Sequence, residues 1–191
     1  MYKHKNGITL RKLEFDDLDL LKKLKDESWF GTHTITIINM KDQVEWFNRI
    51  SNSNTDLFLM AINEMVPIGL YKIRNIDWIN RNYDSGHDVF EDSRNKGFGY
   101  KVVEAGVDFG FEILNMYRID TEVLVNNIAS IKTVVFAGFV LEGVRREAVY
   151  KCGQYIDSNF YSILKPDWLK LDRVIKYNGC CNLSYKPKDY I

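Results

Sequence analysis

A short loop with two glycines carries the residues best suited to bind an anion. It follows a strand-like run, precedes a helical pattern and reads Arg94-Asn95-Lys96-Gly97-Phe98-Gly99-Tyr100. Gly97 and Gly99 lack a Cβ, so the backbone can approach a ligand closely. The N–H groups of a first helical turn point toward such a ligand, and the helix dipole favours negative charge there. Because Arg94 and Lys96 add positive charge, we predict a pyrophosphate site.

Two other phosphate-binding loops do not fit this segment. It lacks the Gly-x-x-x-x-Gly-Lys-Ser/Thr spacing of a P-loop, and it lacks the three glycines of a dinucleotide fingerprint. Taken alone, the loop is also compatible with an ordinary strand-to-helix turn. The choice between a phosphate-binding loop and an ordinary turn therefore depends on the order of the surrounding elements and on two further motifs.

Length and composition exclude several classes of protein. At 191 residues, with 46% hydrophobic and 27% charged residues, the chain suits one globular domain. A formal net charge of zero argues against broad attraction to nucleic acid or to an anionic membrane. We expect neither a bilayer span nor a signal peptide. Scattered histidines, and three cysteines without ligand spacing, predict no metal site and a reducing, cytoplasmic setting.

Hydrophobic periodicity predicts alternating strands and helices. In chain order the predicted elements are a strand at 8–13, helices from 18 and at 41–50, strands at 57–62, 66–74 and 86–90, the glycine loop, a helix to 114, a strand at 118–125, a helix from 127, and strands at 139–149 and 155–164. A polar connection at 75–84 is expected to precede the third of the middle strands. Asp77 and Asp84 lie within it.

This order, together with the loop, resembles the GNAT superfamily of acetyltransferases over roughly residues 7–168. The loop is similar to the family's Arg/Gln-x-x-Gly-x-Gly/Ala motif, which holds the pyrophosphate of coenzyme A. A second motif, Asn127-Ile128-Ala129-Ser130 with a later Gly138-Phe139, resembles the family's Asn-x-x-Ser helix start and Gly-Phe ending. The resemblance implies an α+β (α/β) GNAT fold, in which helices flank a mixed, mostly antiparallel sheet with splayed central strands. It also implies a GNAT domain at 1–168 and a C-terminal tail or linker at 169–191.

The resemblance also implies the cofactor, acetyl-CoA, and its ligands. Its pyrophosphate would lie on residues 94–100 and its pantetheine arm between the splayed strands, beside Asn127 and Ser130. A backbone N–H near Val89 or Phe90 would donate to the thioester oxygen. By position Asn127 is also a plain helix N-cap, and the two roles are compatible. The irregular segment 30–38 would form one wall of the acceptor pocket.

An acetyl acceptor needs a neutral amine, so a proton acceptor is expected near the end of the splayed strand. His87 is the histidine of the sequence nearest to this place, and the unperturbed pKa of histidine suits the task. We predict His87 as the base. Asp84 and Asp77 are rival candidates that would act through water.

This chain differs from the family pattern at the residue that would protonate the leaving thiolate. Many members carry a tyrosine at the position that spacing from Gly138 places on Val134. Valine cannot donate a proton. The thiolate would then leave unassisted or take its proton from water.

A third motif indicates the acceptor. The segments Glu142-Gly143-Val144-Arg145-Arg146 and Gly153-Gln154-Tyr155-Ile156-Asp157 resemble the endings of two groups of the family. One group acetylates amino sugars carried by nucleotides and the other acetylates the N termini of ribosomal proteins. The phrase Phe109-Gly110-Phe111 favours the first group. The acceptor-binding residues would supply rings for stacking and arginines for a diphosphate; they are Trp78, Arg81, Arg145 and Tyr155.

The sequence thus predicts an acetyl-CoA-dependent N-acetyltransferase that acts by direct transfer in a ternary complex. The predicted acceptor is a UDP- or dTDP-linked 4-amino-4,6-dideoxyhexose. A protein N-terminal acetyltransferase is the first alternative, and a catalytically silent coenzyme A-binding module is the second. We expect a small-molecule partner, no nucleic acid and no membrane, and the sequence leaves a homodimer open.

Overall fold

The computed structural model describes residues 1–28 and 38–174. Its strands are β1 (Tyr2–Lys3), β2 (Ile8–Lys12), β3 (Leu57–Asn63), β4 (Val66–Asp77), β5 (Asn82–Val89), β6 (Arg118–Leu124), β7 (Val140–Lys151) and β8 (Gln154–Leu164). Its α-helices are α1 (Leu18–Ser28), α2 (Met40–Ser51), α3 (Phe98–Glu112), α4 (Ile128–Ala137) and α5 (Lys165–Trp168). The predicted irregular segment 30–38, apart from Ile38, and the end of the predicted tail, 175–191, lie outside the described residues.

The strands form one eight-stranded sheet in the order β1-β2-β3-β4-β5-β6-β8-β7. Neighbouring strands are antiparallel except β5 and β6, which run parallel. A parallel pair requires a crossover connection, and α3 supplies it. The prediction of a mixed, mostly antiparallel sheet flanked by helices is confirmed.

Helix α3 packs directly on one face of the sheet, and two glycines allow the close approach. A Cβ added to Gly106 would lie 2.2 Å from the ring of Tyr71, and one added to Gly110 would lie 2.4 Å from the hydroxyl of Tyr83. The two tyrosine hydroxyl groups are themselves 3.1 Å apart in the core. Tight packing along its length therefore fixes where α3 begins, and its N-terminus faces the end of β5.

The opposite face of the sheet is divided into two halves. Over β2–β4, leucines of α1 and Ile50 of α2 pack on Met60 and Leu70 in a second apolar cluster. On the other half, the corresponding side chains of β6, β7 and β8 are polar and form ion pairs and hydrogen bonds; they are Arg118, Asp120, Glu122, Glu142, Arg145, Ser158 and Ser162. This polar half borders the site described below.

The hairpin between β4 and β5 is tighter than the sequence predicts. Strand β4 continues to Asp77 and β5 begins at Asn82, so the predicted polar connection at 75–84 is mostly strand and the predicted start near 86 is wrong. The Asp77 carboxylate closes the turn by accepting from the N–H groups of Ile79 (2.9 Å) and Asn80 (2.8 Å). Arg81 completes the turn with a positive φ of 55°. The segment 75–84 contains neither glycine nor proline, so the turn signal rests on Asp77 and the asparagines alone.

Residues that follow β8 stay in contact with the domain. The Trp168 indole donates to the buried carboxylate of Asp108 at 2.7 Å, and the Arg173 guanidinium donates to the carbonyl oxygen of Ala137 at 3.0 Å. The described start of the predicted tail therefore packs on α3 and α4. No helix within 1–28 and 38–174 is long and apolar enough to cross a bilayer.

Candidate active site

A cleft opens where β5 and β6 separate. The two strands pair from Asn82 and Arg118 as far as Ser85 and Thr121. At this last pair the Thr121 hydroxyl donates to the Ser85 carbonyl oxygen (3.1 Å), and the Ser85 hydroxyl donates to the Asp120 carbonyl oxygen (3.0 Å). Beyond it, β5 stays with β4 and β6 stays with β8. The resulting cleft has a volume of about 760 Å³, and the predicted splayed strands are confirmed.

The glycine loop forms one end of the cleft. Asn95 (φ 59°) and Gly97 (φ 78°) adopt left-handed conformations, and Gly97 is the N-cap of α3. A Cβ added to Gly97 would meet nothing within 4 Å, so open space lies above the loop. The Arg94 Nε donates to the Val89 carbonyl oxygen at 3.1 Å and ties the loop to the end of β5. Lys96 does not line the cleft, because its ammonium donates to the Asp92 carbonyl oxygen at 2.7 Å.

Helix α4 brings a second N-terminus to the same end. The Asn127 side chain accepts from the Ser130 N–H at 3.1 Å, which confirms the predicted N-cap. Asn127 and Ser130 line the cleft together with Lys132 and Thr133. A Cβ added to Gly99 would lie 3.5 Å from the Thr133 hydroxyl, so α3 and α4 begin side by side. Two positive helix ends with Arg94 and Lys132 fit the pyrophosphate of coenzyme A.

The predicted oxyanion donor can be narrowed to one residue. The Phe90 N–H donates to the Ile68 carbonyl oxygen at 3.0 Å, and the Phe90 ring is buried in the cluster under α1 and α2. Successive N–H groups of a strand point to opposite sides. The Val89 N–H therefore points away from β4 and into the cleft that Val89 lines. Of the two predicted donors, Val89 is the one in position.

Comparison with known proteins decides the family. Residues 8–140 match the acetyltransferase (GNAT) domain. The chain belongs to the GNAT family. It is 28% identical over 172 residues to an uncharacterized N-acetyltransferase, p20, of Bacillus licheniformis, over 84% of this chain and 94% of that protein. This GNAT enzyme is an N-acetyltransferase that uses acetyl-CoA.

Two further relatives carry a named substrate. The GNAT chain is 26% identical over 168 residues to the spermidine N(1)-acetyltransferase of Vibrio cholerae, over 85% of this chain and 95% of that protein. It superposes with a TM-score of 0.82 on the crystal structure of a spermidine N-acetyltransferase from Vibrio cholerae in complex with CoA and spermine. That match has 24% identity and covers 86% of this chain and 99% of the other. It shows the shared fold.

His87 lies in the cleft of this GNAT domain, on β5 two residues before Val89. The His87 imidazole is largely buried, and this burial lowers the pKa of His87 to about 4 because it disfavours the charged form. The negative charge of Asp88 opposes this shift, and the positive charge of Lys72 adds to it. At neutral pH the ring is therefore uncharged and has a nitrogen free of a proton.

The two rival bases do not line the cleft. Asp84 is not among the residues that line it, and its carboxylate accepts from the Asn75 amide at 2.7 Å. Its partner across the parallel ladder is Asp120, another carboxylate. Asp77 is the turn cap described above, and hydrogen bonds from the Asn80 and Ile79 N–H groups lower its pKa.

The four predicted acceptor-binding residues are not brought together. The Trp78 indole donates to the Asn54 carbonyl oxygen (3.0 Å) and Arg81 stacks over the Tyr117 ring (5.9 Å), both at the turn before β5. That turn lies at the opposite end of β5 from the glycine loop. Tyr155 packs against Tyr150 near the tip of the β7–β8 hairpin, 5.2 Å between ring centres.

Val134 does not occupy a donor position, because its side chain is buried in the core with an exposed fraction of 2%. Among the described cleft residues, the hydroxyl groups on α4 belong to Ser130 and Thr133. The Thr133 hydroxyl donates to the Ala129 carbonyl oxygen at 2.9 Å.

Six charged residues that line the cleft were missed by sequence reasoning: Glu27, Lys72, Arg74, Asp88, Glu122 and Lys132. Glu122 had a signal, because the alternation of β6 turns Ile119, Thr121 and Val123 to the core and Glu122 to the other face. Glu27 lies near the end of α1, and no sequence pattern indicated that it would line the cleft.

Proposed function

We propose that this GNAT enzyme acetylates a primary amine of a small cationic molecule of the polyamine class. One observation carries the proposal. Carboxylates from three separate elements reach the cleft on the face opposite α3: Glu27 of α1, Asp88 of β5 and Glu122 of β6. On this face they outnumber the two lining cations, Lys72 and Arg74, whereas the end at the glycine loop carries Arg94 and Lys132. An ammonium-rich acceptor complements the first region and a pyrophosphate complements the second.

Alternation along the strands supports this division. Tyr83 of β5 and Ile119 of β6 are buried in the core under α3. Residues offset by an odd number of positions face the other way, which places Asp88 and Glu122 on the opposite face. Ion pairs from Lys72 to Asp88 and from Arg145 to Glu122 hold both carboxylates at this face. The two carboxylates therefore face an acceptor that enters from the side of α1.

The chain's own groups suit acyl transfer to such an amine. Bound acetyl-CoA supplies an activated acetyl group. The Val89 N–H is placed to donate to the oxygen on which negative charge develops. Neutral His87 accepts the proton that the amine gives up as its nitrogen bonds to the acetyl carbon and the carbon–sulfur bond breaks. The sulfur leaves as a thiolate, which takes a proton from water.

The predicted nucleotide-sugar acceptor is the second candidate, and Arg74 favours it. Arg74 lines the cleft on the acceptor side and has no ion pair within the part of the chain that the structure describes. A diphosphate would give it a partner. The places of Trp78 and Arg81, and the pairing of Arg145 with Glu122, favour the cationic amine instead. A peptide acceptor, a homodimer and a cytoplasmic setting stay predictions, whereas a catalytically silent module does not agree with the assignment as an N-acetyltransferase.

Thiol release with matched acceptors tests the proposal. Spermidine, spermine and simple diamines are compared with UDP- and dTDP-4-amino-4,6-dideoxyhexoses and with N-terminal peptides, each with acetyl-CoA, and the products are identified by mass. We expect kcat/KM for at least one polyamine to exceed that of every sugar and peptide by at least about tenfold. A higher value for an amino sugar would select the second candidate, and a higher value for a peptide would select the protein N-terminal acetyltransferase.

A further inference from the structure

Glu122 and Arg145 form an ion pair that links the cleft to the outermost strand. The Glu122 carboxylate accepts from the Arg145 Nη1 at 3.0 and 3.1 Å and also accepts from the Ser158 hydroxyl. Glu122 lies on β6, Ser158 on the neighbouring strand β8, and Arg145 opposite Ser158 on β7. Glu122 lines the cleft with 23% of its side chain exposed, whereas 65% of the Arg145 side chain is exposed.

The backbone fixes Arg145 at this place. Arg145 pairs with Ser158, but the next regular pair joins Val149 to Ile156, so β7 carries a bulge at residues 146–148. Within the bulge Glu147 has a positive φ of 50°, and its N–H donates to the Asp157 carboxylate at 2.7 Å. Bulges re-aim the side chains beside them. Arg145 is thus the last residue of β7 in register before the strand deviates.

We propose that Arg145 determines acceptor specificity by occupying Glu122 until a cationic amine displaces it. This inference rests on the proposed function. Glu122 is largely shielded from water, so its charge requires a partner when an acceptor fills the cleft. The ion pair is nevertheless weak on the Arg145 side, because 65% of the Arg145 side chain is exposed, water screens its charge and the long side chain loses entropy in the pair. An incoming ammonium group can therefore take its place.

The exchange discriminates between acceptors by charge. A substrate ammonium replaces the guanidinium and leaves Glu122 paired, whereas a neutral amine would leave a carboxylate unpaired. An anionic acceptor behaves in the opposite way, because Arg145 would then bind it directly. Loss of Arg145 therefore lowers KM for a cationic acceptor and raises KM for a nucleotide-sugar. The direction of the change separates the two mechanisms.

Steady-state kinetics with spermidine test the role of Arg145. Since an exposed ion pair contributes roughly 0.2–1 kcal/mol, we expect Arg145→Ala to lower KM for spermidine about two- to fivefold. We expect kcat and KM for acetyl-CoA to stay within about 1.5-fold, which a general structural effect would not allow. The control is Arg146→Ala, the exposed neighbour in the bulge with the same change in net charge. It is expected to leave KM for spermidine unchanged.

A double-mutant cycle completes the test. Glu122→Gln removes the charge but keeps an acceptor for Ser158, and we expect it to raise KM for spermidine about tenfold. In that background Arg145→Ala is expected to have no further effect, because the two residues act as a pair. Equal KM values for Arg145→Ala and Arg146→Ala, with spermidine turned over by the wild type, would overturn this inference alone. A wild type that acetylates only nucleotide-sugars, with KM raised by Arg145→Ala, would overturn the inference and the proposed function together.

Discussion

The two ends of the cleft are built by different means. The cofactor end is made mainly of backbone: the left-handed turn at Gly97 and the N-termini of α3 and α4. The proposed acceptor end is made of side chains such as Asp88 and Glu122, which ion pairs from other strands hold in place. Backbone donors bind a group that every GNAT enzyme shares, whereas paired side chains can change one by one. The cofactor end therefore defines the family and the acceptor end defines the substrate.

Substitution of His87, which lies between the two ends, should have the largest effect. His87→Gln keeps hydrogen-bonding capacity but cannot accept a proton at neutral pH. We expect kcat to fall about a hundredfold, at the low end of general-base effects because a base with a pKa near 4 is weak. Stopped-flow detection of the released thiol measures it. A fall in kcat of less than threefold would show that His87 is not the general base and that the amine loses its proton to water.

The pH dependence of stability checks the pKa behind this prediction. The unfolded imidazole has a pKa of 6.5 and the folded one about 4, so the unfolded state binds more protons between these values. The free energy of unfolding should therefore rise as the pH rises from 4 to 6.5, by at most about 1.4 kcal/mol per pH unit from this residue. His87→Gln should remove that part of the slope. Urea titrations at pH 4.5, 5.5 and 7 measure it.

A change of backbone at the cofactor end should have the next largest effect. Gly97→Val places a β-branched residue at φ 78°, which costs roughly 1–2 kcal/mol and turns the loop N–H groups away from the phosphates. We expect the dissociation constant for acetyl-CoA to rise about thirtyfold, measured by calorimetry. Gly153→Val is the matched control. Gly153 lies in the β7–β8 turn at φ 85°, and a Cβ added there would also meet nothing within 4 Å. It should lower Tm similarly and leave acetyl-CoA affinity intact.

Two cations of the same loop should differ although they are two residues apart. Arg94 lines the cleft and ties the loop to Val89, whereas the Lys96 ammonium is held outside it by Asp92. We expect Arg94→Ala to weaken acetyl-CoA binding about tenfold and Lys96→Ala to weaken it less than twofold. Equal losses would mean that the loop acts through net charge, and would contradict a site built from backbone geometry.

How much of each end of the cleft can be predicted from the sequence depends on whether its contacts join residues that are near or far apart in the chain. Gly97 and the N-cap Asn127 act within one turn of a helix start, so local spacing predicts them, whereas Ser130 was implied by the resemblance to the GNAT family. Splaying after Ser85 followed from the family order of elements rather than from any local signal. The acceptor end joins Glu122 to Arg145 on a strand two positions away in the sheet, and no periodicity encodes that pairing. For the same reason the chemistry of Trp78 and Arg81 suggested acceptor binding, but the sequence could not show where these two residues lie in the fold.

The smallest effect is expected at those two residues. Trp78 and Arg81 lie before β5, and at a rise of roughly 3.3 Å per residue its eight residues put them about 25 Å from the glycine loop. We expect Trp78→Ala and Arg81→Ala to change KM for either acceptor class less than twofold, with a small loss of stability from the contacts to Asn54 and Tyr117. A rise in KM above threefold for a nucleotide-sugar, but not for spermidine, would instead support their assignment to an acceptor that extends along the whole strand. It would also mean that specificity is set at both ends of β5, and the division between a shared cofactor end and a variable acceptor end would no longer hold.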